Sequence, residues 1–406
     1  MTAQKRKLLT VLALAWVTYT VSYMCRVNIS TALDKLAFGM DVSLDYLGMA
    51  SSVYFITYAF GQLLNGFWGD HVDPHRFLIA ACLLSGAINT TLGLQSNGTV
   101  FFILWSMNGF CQSMFWSTLL RLLSAYAEDG QRKNVSTIMS TCSATGYLIS
   151  WVILSDLFMP YSYRPYFLVP GLIALLLVLG WFAMMQALPF EQEQAKSKTA
   201  PPLPVVIGEI RHDRLYFVCL LCVLVGTIKE GAVFWLPKIF TDVLGFGEGS
   251  LIFLMLVPLA KLAGVFAARR LLTMVGESVK RGVQVMLSIG CASCAALVLT
   301  SSHTSLLTLA LIALLLAVIN GANWFMISYL PLHFAERNIV ATLVGCFDFS
   351  TYIGASVMTG VVGVALARFS WVALPLMWLG ITCVALLLAC SGAGTCLALK
   401  GKRRAA

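Results

Sequence analysis

Apolar residues fill this chain in long, nearly unbroken runs separated by short polar segments, rather than alternating in the pattern of a half-buried strand or a one-faced helix. A helix that is hydrophobic all round is one whose solvent is lipid, and a bilayer crossing needs about 20 such residues. The runs predict spans near 8–33, 45–68, 77–95, 99–124, 134–155 and 165–187, then 215–237, 249–268, 282–300, 304–332, 339–365 and 370–396. The expected fold class is therefore an all-α membrane protein with about twelve transmembrane helices. Only Leu188–Arg214 is polar at length, with Glu191-Gln-Glu-Gln-Ala-Lys-Ser-Lys followed by Pro201, Pro202 and Pro204, a composition that resists compact folding. This places a first bundle at 1–188, a cytoplasmic linker at 189–213 and a second bundle at 214–406, with about six helices in each.

Internal repetition supports two related halves. Val135-Ser-Thr-Ile-Met-Ser-Thr-Cys-Ser-Ala-Thr-Gly-Tyr147 overlays Val340-Ala-Thr-Leu-Val-Gly-Cys-Phe-Asp-Phe-Ser-Thr-Tyr352, and the same offset carries Arg76 onto Arg281 and Arg132 onto Arg337. Pseudo-twofold repeats of this kind are the plan of secondary transporters, whose bundles rock around a site near the midplane.

Composition agrees with lipid as the solvent: 59% of residues are hydrophobic and only 11% charged, against about a quarter charged in soluble domains. The net charge of +9 would suit nucleic acid in a soluble protein, but here the cations fall on alternate loops. About nineteen Lys and Arg collect on the side of Lys5, Arg132, Arg269 and Lys402, against four, Lys35, Arg164, Lys238 and Arg368, on the other. By the positive-inside rule both termini are cytoplasmic, and no nucleic-acid partner is expected. The basic start, Met1–Lys7, leads into the first apolar run without a small-residue cleavage site and reads as an uncleaved span. The 12 cysteines lie mostly inside apolar runs; the pairs Cys219/Cys222 and Cys291/Cys294 have no nearby His, so neither a metal nor another cofactor is expected. His71, His75 and His303 read as loop residues, and no nucleophile–base pair or phosphate-cradling glycine loop is visible, which argues against an enzyme.

Ionisable side chains at bilayer depth are costly, and six call for an explanation: Arg26, Arg121, Lys229, Glu230, Lys261 and Asp348. Tyr19, Tyr23 and Arg26 follow i, i+4, i+7 and share one face of the first span, where a guanidinium flanked by phenols has the donors to hold a phosphate or carboxylate; the plain alternative is an Arg in a structural pair. Lys229 sits halfway along the seventh span, the counterpart of the first, so two cations are expected to face each other across the pseudo-twofold. Glu230, about 100° further round an α-helix, is not expected to neutralise it directly. Lys261 either lines a cavity or snorkels toward Arg269 and Arg270. Arg121 reads as a gate or packing residue. Asp348, one turn before Tyr352, is a counter-ion, a substrate contact or a proton site.

At this point the chain resembles a known family, the organophosphate:phosphate antiporters of the major facilitator superfamily, along most of its length. The resemblance rests on Tyr19-x-x-x-Tyr23-x-x-Arg26-x-Asn28, on Leu47-Gly48 through Tyr58-Ala-Phe60 to Asn65-Gly66-x-x-Gly69-Asp70 with Pro74-x-Arg76, and on the fourth-span segment ending at Arg121. Gly69, Asp70 and Arg76 match the superfamily's loop motif between the second and third spans. The family's first-span Arg corresponds to Arg26, and its seventh-span Arg to Lys229, in a matching Gly231, Trp235, Pro237 context; Tyr58 and Tyr352 fall on cavity tyrosines. Two positions depart: the family's fifth-span His is Ser143 and its second-span Lys is Gln62. The resemblance implies a major facilitator fold of two six-helix bundles and exchange of an organophosphate for inorganic phosphate by alternating access. It further implies a monomer in a bacterial inner membrane whose partners are a small anionic substrate, phosphate and the lipid bilayer. A proton-coupled organic-anion symporter using Asp348 or Glu230, and a non-transporting sugar-phosphate receptor, are the rival readings.

Overall fold

The computed structural model describes residues 3–154, 157–188, 203–240, 255–300, 306–337, 339–368 and 373–391. Among these residues the chain is helical throughout, with no strand. Its helices are α1 (Ala3–Thr31), α2 (Leu33–Met40), α3 (Leu44–His71), α4 (Pro74–Leu94), α5 (Gly98–Gln112), α6 (Met114–Tyr126), α7 (Asp129–Leu148), α8 (Arg164–Ala187), α9 (Leu203–His212), α10 (Tyr216–Gly226), α11 (Val233–Lys238), α12 (Leu256–Met274), α13 (Val279–Thr300), α14 (Leu306–Asn323), α15 (Val340–Arg368) and α16 (Ala373–Cys390). Three π-turns extend them, at Ile149–Leu154 after α7, Thr227–Ala232 between α10 and α11, and Trp324–Tyr329 after α14.

Ten helical segments among the described residues are long and apolar enough to cross a membrane. Two predicted spans fall outside that count. The fourth is broken at Ser113 into α5 and α6: its hydroxyl turns back to the carbonyl of Phe110 and accepts from Asn65 Nδ2 at 2.7 Å. The eighth, α12, carries Lys261, Arg269 and Arg270. The linker also differs from expectation. Residues 189–202 lie outside the described residues, but Leu203–His212 is a helix with Val206 buried, because Pro204 occupies the first turn, where a missing N–H costs nothing. His71 and His75 likewise lie in helical turns; His75 is fully buried in the first turn of α4, behind the Asp73 cap and Pro74, while His303 lies outside the described residues.

Packing divides the chain into two compact units, Met1–Pro201 with Arg337–Phe349, and Pro202–Glu336 with Ser350–Ala406. In the first, α1 is fixed by three indoles that donate to hydroxyls: Trp16 to Thr141 at 2.8 Å, Trp151 to Ser30 at 2.9 Å and Trp181 to Thr18 at 2.9 Å. A buried polar seam adds specificity. Asn28 donates to Asn89 Oδ1 (3.0 Å), Asn89 and Ser85 donate to Asn108 Oδ1 (3.2 and 2.9 Å), and Asn108 Nδ2 donates to the Cys25 carbonyl (3.1 Å), joining α1, α4 and α5. Hydrogen bonds between helices in lipid contribute about 0.6–1.7 kcal/mol each. Asn108→Leu breaks several at once and is expected to lower the melting temperature of the detergent-purified protein by several degrees, read by intrinsic fluorescence; an unchanged melt would show the seam to be energetically idle.

The second unit is organised around glycine. A Cβ on Gly226 of α10 would strike the Thr351 carbonyl of α15, and one on Gly354 of α15 would strike the Val223 carbonyl of α10. The two backbones therefore touch directly, as small residues permit in membrane packing. The crossing sets the π-turn that follows α10, which carries Lys229, beside Tyr352. Trp235 Nε1 ties α11 to α15 as well, through the Thr359 carbonyl at 2.9 Å.

Candidate functional site

In the first unit Tyr19, Tyr23 and Arg26 lie together along α1. Arg26 is buried, at 5% exposure, with its guanidinium carbon 4.6 Å from the ring centre of Tyr23 and 4.3 Å from that of Tyr58. A guanidinium carries five N–H donors in a planar fork, a group suited to taking an oxyanion. The tyrosines are themselves braced. Tyr19 packs on Tyr23 (5.2 Å, edge-on) and on Trp116 (4.7 Å), Tyr23 on Tyr147 (5.6 Å), and Tyr54 stacks on Tyr58 (6.1 Å) and Trp105 (4.8 Å). Gln62 donates from Nε2 to the Tyr58 hydroxyl at 2.7 Å and so fixes the ring that covers Arg26. Tyr54, Tyr58 and Gln62 follow i, i+4, i+8 along α3, a signal that was available in the sequence and that identifies Tyr54 as a member of the cage. Asp348 is buried in the part of α15 that belongs to this unit.

The Ser143 hydroxyl donates to the Ser140 carbonyl of its own helix at 3.2 Å. Arg121, half-buried, donates from Nη1 to the carbonyls of Gly69 and of Val72, the latter at 2.7 Å. It thereby caps the C-terminal end of α3 from α6. Of the loop motif, Gly69 supplies one of those carbonyls, the Asp70 side chain lies outside the described residues, and the exposed Arg76 has its backbone N–H capped by Asp73 Oδ1 at 3.0 Å. Removing two charge-assisted bonds, each of about 1.5–3 kcal/mol, makes Arg121→Ala a destabilising change: its melting temperature should fall below that of Arg121→Lys, measured side by side in detergent. Equal melts would assign Arg121 no capping role.

In the second unit the geometry corrects the sequence reading. Lys229 and Glu230 are neighbours in the π-turn, and Lys229 Nζ lies 3.2 Å from Glu230 Oε1. The other oxygen, Oε2, is 3.7 Å from Lys261 Nζ. Adjacent residues pair here because the regular α-helical ladder is broken at the π-turn, and because both side chains are long enough to bend toward each other. Lys261 does not snorkel: it is 3% exposed, and its backbone carbonyl is held by Asn320 Nδ2 at 2.8 Å. Lys229, 9% exposed, lies 5.8 Å from the ring centre of Tyr352. The trio of two ammoniums and one carboxylate carries one net positive charge. π-turns within helices recur at functional sites, and this one presents both a cation and its counter-ion.

Residues 15–359 match the Major Facilitator Superfamily. Among curated proteins, the chain is 24% identical to the membrane sensor protein UhpC of Escherichia coli over 205 residues, covering 50% of this chain and 44% of the sensor, so it spans less than half the length of that relative. It is 22% identical over 387 residues to the phosphoglycerate transporter protein of Salmonella typhimurium, covering 87% of this chain and 82% of that one. Among solved structures, the proton:xylose symporter XylE bound to 6-bromo-6-deoxy-D-glucose superposes with a TM-score of 0.73 at 13% identity, over 95% of both chains, a likeness of fold alone.

Proposed function

The chain belongs to the major facilitator superfamily, and from that premise we propose that it moves an organophosphate of the sugar-phosphate or glycerol-phosphate type across the membrane in exchange for inorganic phosphate. The observation that carries this reading is Arg26: a buried guanidinium, placed over two tyrosine rings, whose fork geometry suits phosphoryl oxygens. Lys229 supplies the second cation, a point charge rather than a fork. Similarity to a phosphoglycerate transporter over most of the chain adds support. Alternating access then follows from differential binding: an anion that stabilises the transition between the two access states speeds crossing, whereas an empty carrier with buried cations crosses slowly. The strong excess of Lys and Arg on one side favours cytoplasmic termini, and the bacterial relatives favour an inner membrane.

Uptake of labelled phosphate into proteoliposomes tests this. Vesicles preloaded with phosphate should accumulate label, and vesicles preloaded with buffer should not. Uptake driven by a pH gradient and indifferent to internal phosphate would replace antiport with proton-coupled symport. The match to a membrane sensor over half of this chain gives the receptor reading a specific footing; phosphate binding without any flux would establish it.

A further inference from the structure

We propose that Glu230 is a built-in surrogate for the substrate's anionic group: it holds Lys229 and Lys261 together in the empty protein and yields Lys229 when a phosphoryl group arrives. This rests on the proposed role of Lys229 in anion binding.

The geometry gives Glu230 both lysines at once, one per carboxylate oxygen, at 3.2 and 3.7 Å, with all three side chains buried. Buried ammoniums keep their charge when an anion is near, so an anion site in a low-dielectric interior needs a counter-ion while it is empty. A carboxylate bridging two ammoniums provides one, and it occupies the positions that phosphate oxygens would take.

The two lysines are not equivalent. Lys261 stands on the regular helix α12, with its carbonyl fixed by Asn320. Lys229 stands in the π-turn beside Glu230 itself, where the backbone is irregular, and its ammonium already lies toward Tyr352. An ammonium has three donors and no fixed plane, so it can turn from one acceptor to another, which a guanidinium locked in a bidentate pair does less readily. Lys229 is thus the partner that changes hands. Glu230 and Lys261 remain behind as a neutral pair, and Glu230 acts as a positioning residue that competes with substrate for Lys229. Such competition weakens binding but hastens release, which an exchanger needs in every cycle.

The test is calorimetric titration of inorganic phosphate into the full-length detergent-purified protein and three variants. Glu230→Gln should bind phosphate about 10-fold more tightly than wild type, and Lys261→Met, which leaves Glu230 to Lys229 alone, about 10-fold more weakly. Because added positive charge alone would tighten anion binding, the deciding variant is Glu230→Gln/Lys261→Met, whose net charge equals that of the wild type. It should still bind more tightly than wild type, because Lys229 has lost its competitor, and it also serves if Glu230→Gln fails to fold. A double variant with wild-type or weaker affinity overturns the inference while leaving the functional reading intact. A wild-type protein that binds no phosphate overturns both.

Discussion

Arg26→Ala is expected to reduce phosphate exchange at least about 25-fold while the protein still inserts and folds. Truncating one partner of a buried, hydrogen-bonded charge pair costs about 2–5 kcal/mol, and each 1.4 kcal/mol is a factor of about ten. The substitution also costs stability, because Arg26 contacts the rings of Tyr23 and Tyr58 and a desolvated cation–π contact contributes about 2 kcal/mol or more, so exchange is compared per folded molecule. Arg26→Lys separates charge from shape: it keeps the cation but loses the planar fork, and should fall between wild type and alanine. Initial rates of labelled phosphate exchange in proteoliposomes, normalised to folded protein, check the series. Wild-type rates in Arg26→Ala would remove Arg26 from the site.

Gly226→Leu should have the largest structural effect. Its Cβ meets the Thr351 carbonyl, a backbone atom that no rotamer change can move, and Gly354 meets α10 in the same way from the other side. Overpacking costs about 1–3 kcal/mol where side chains can yield; here two helices must part, and with them the neighbourhood of Lys229 and Tyr352. The expected outcome is loss of the monodisperse peak in size-exclusion chromatography of the solubilised protein. Gly226→Ala already introduces the offending atom and should be visibly destabilised. Gly380→Leu, on an exposed position of α16 with open space around it, is the matched control and should elute as wild type. A normal profile for Gly226→Leu would mean that the crossing is looser than described.

The spans were legible in the sequence because long apolar runs leave lipid as the only solvent, and the face of α1 was legible because Tyr19, Tyr23 and Arg26 repeat at helical spacing. What escaped depends on two kinds of information absent from local pattern. The first is departure from regular α-helix. A break at Ser113 and a π-turn at Thr227–Ala232 leave hydropathy unchanged, yet the π-turn decides that Lys229 and Glu230 meet. Pro201, Pro202 and Pro204 weighed against any helix in the linker, although a proline in the first turn is compatible with one, as Leu203–His212 shows. The second is contact between residues distant in sequence. Trp116 and Tyr147 join the aromatic cage from α6 and α7, and Lys261 reaches Glu230 from α12; no spacing rule connects them. Ser143 and Gln62 illustrate the converse. Both were singled out by resemblance, but their own chemistry differs: Gln62 steadies the Tyr58 ring, while the Ser143 hydroxyl bonds back to its own helix.

The central claim is that Arg26 and Lys229 each contribute to anion binding. Its most direct test is calorimetric titration of inorganic phosphate and phosphoglycerate into the purified protein, alongside Arg26→Gln and Lys229→Gln. The account predicts saturable binding to the wild type that weakens at least about 10-fold in each variant, one lost charge contact apiece. Binding that is indifferent to both substitutions, or a wild type that binds an uncharged sugar and no phosphate, would contradict it.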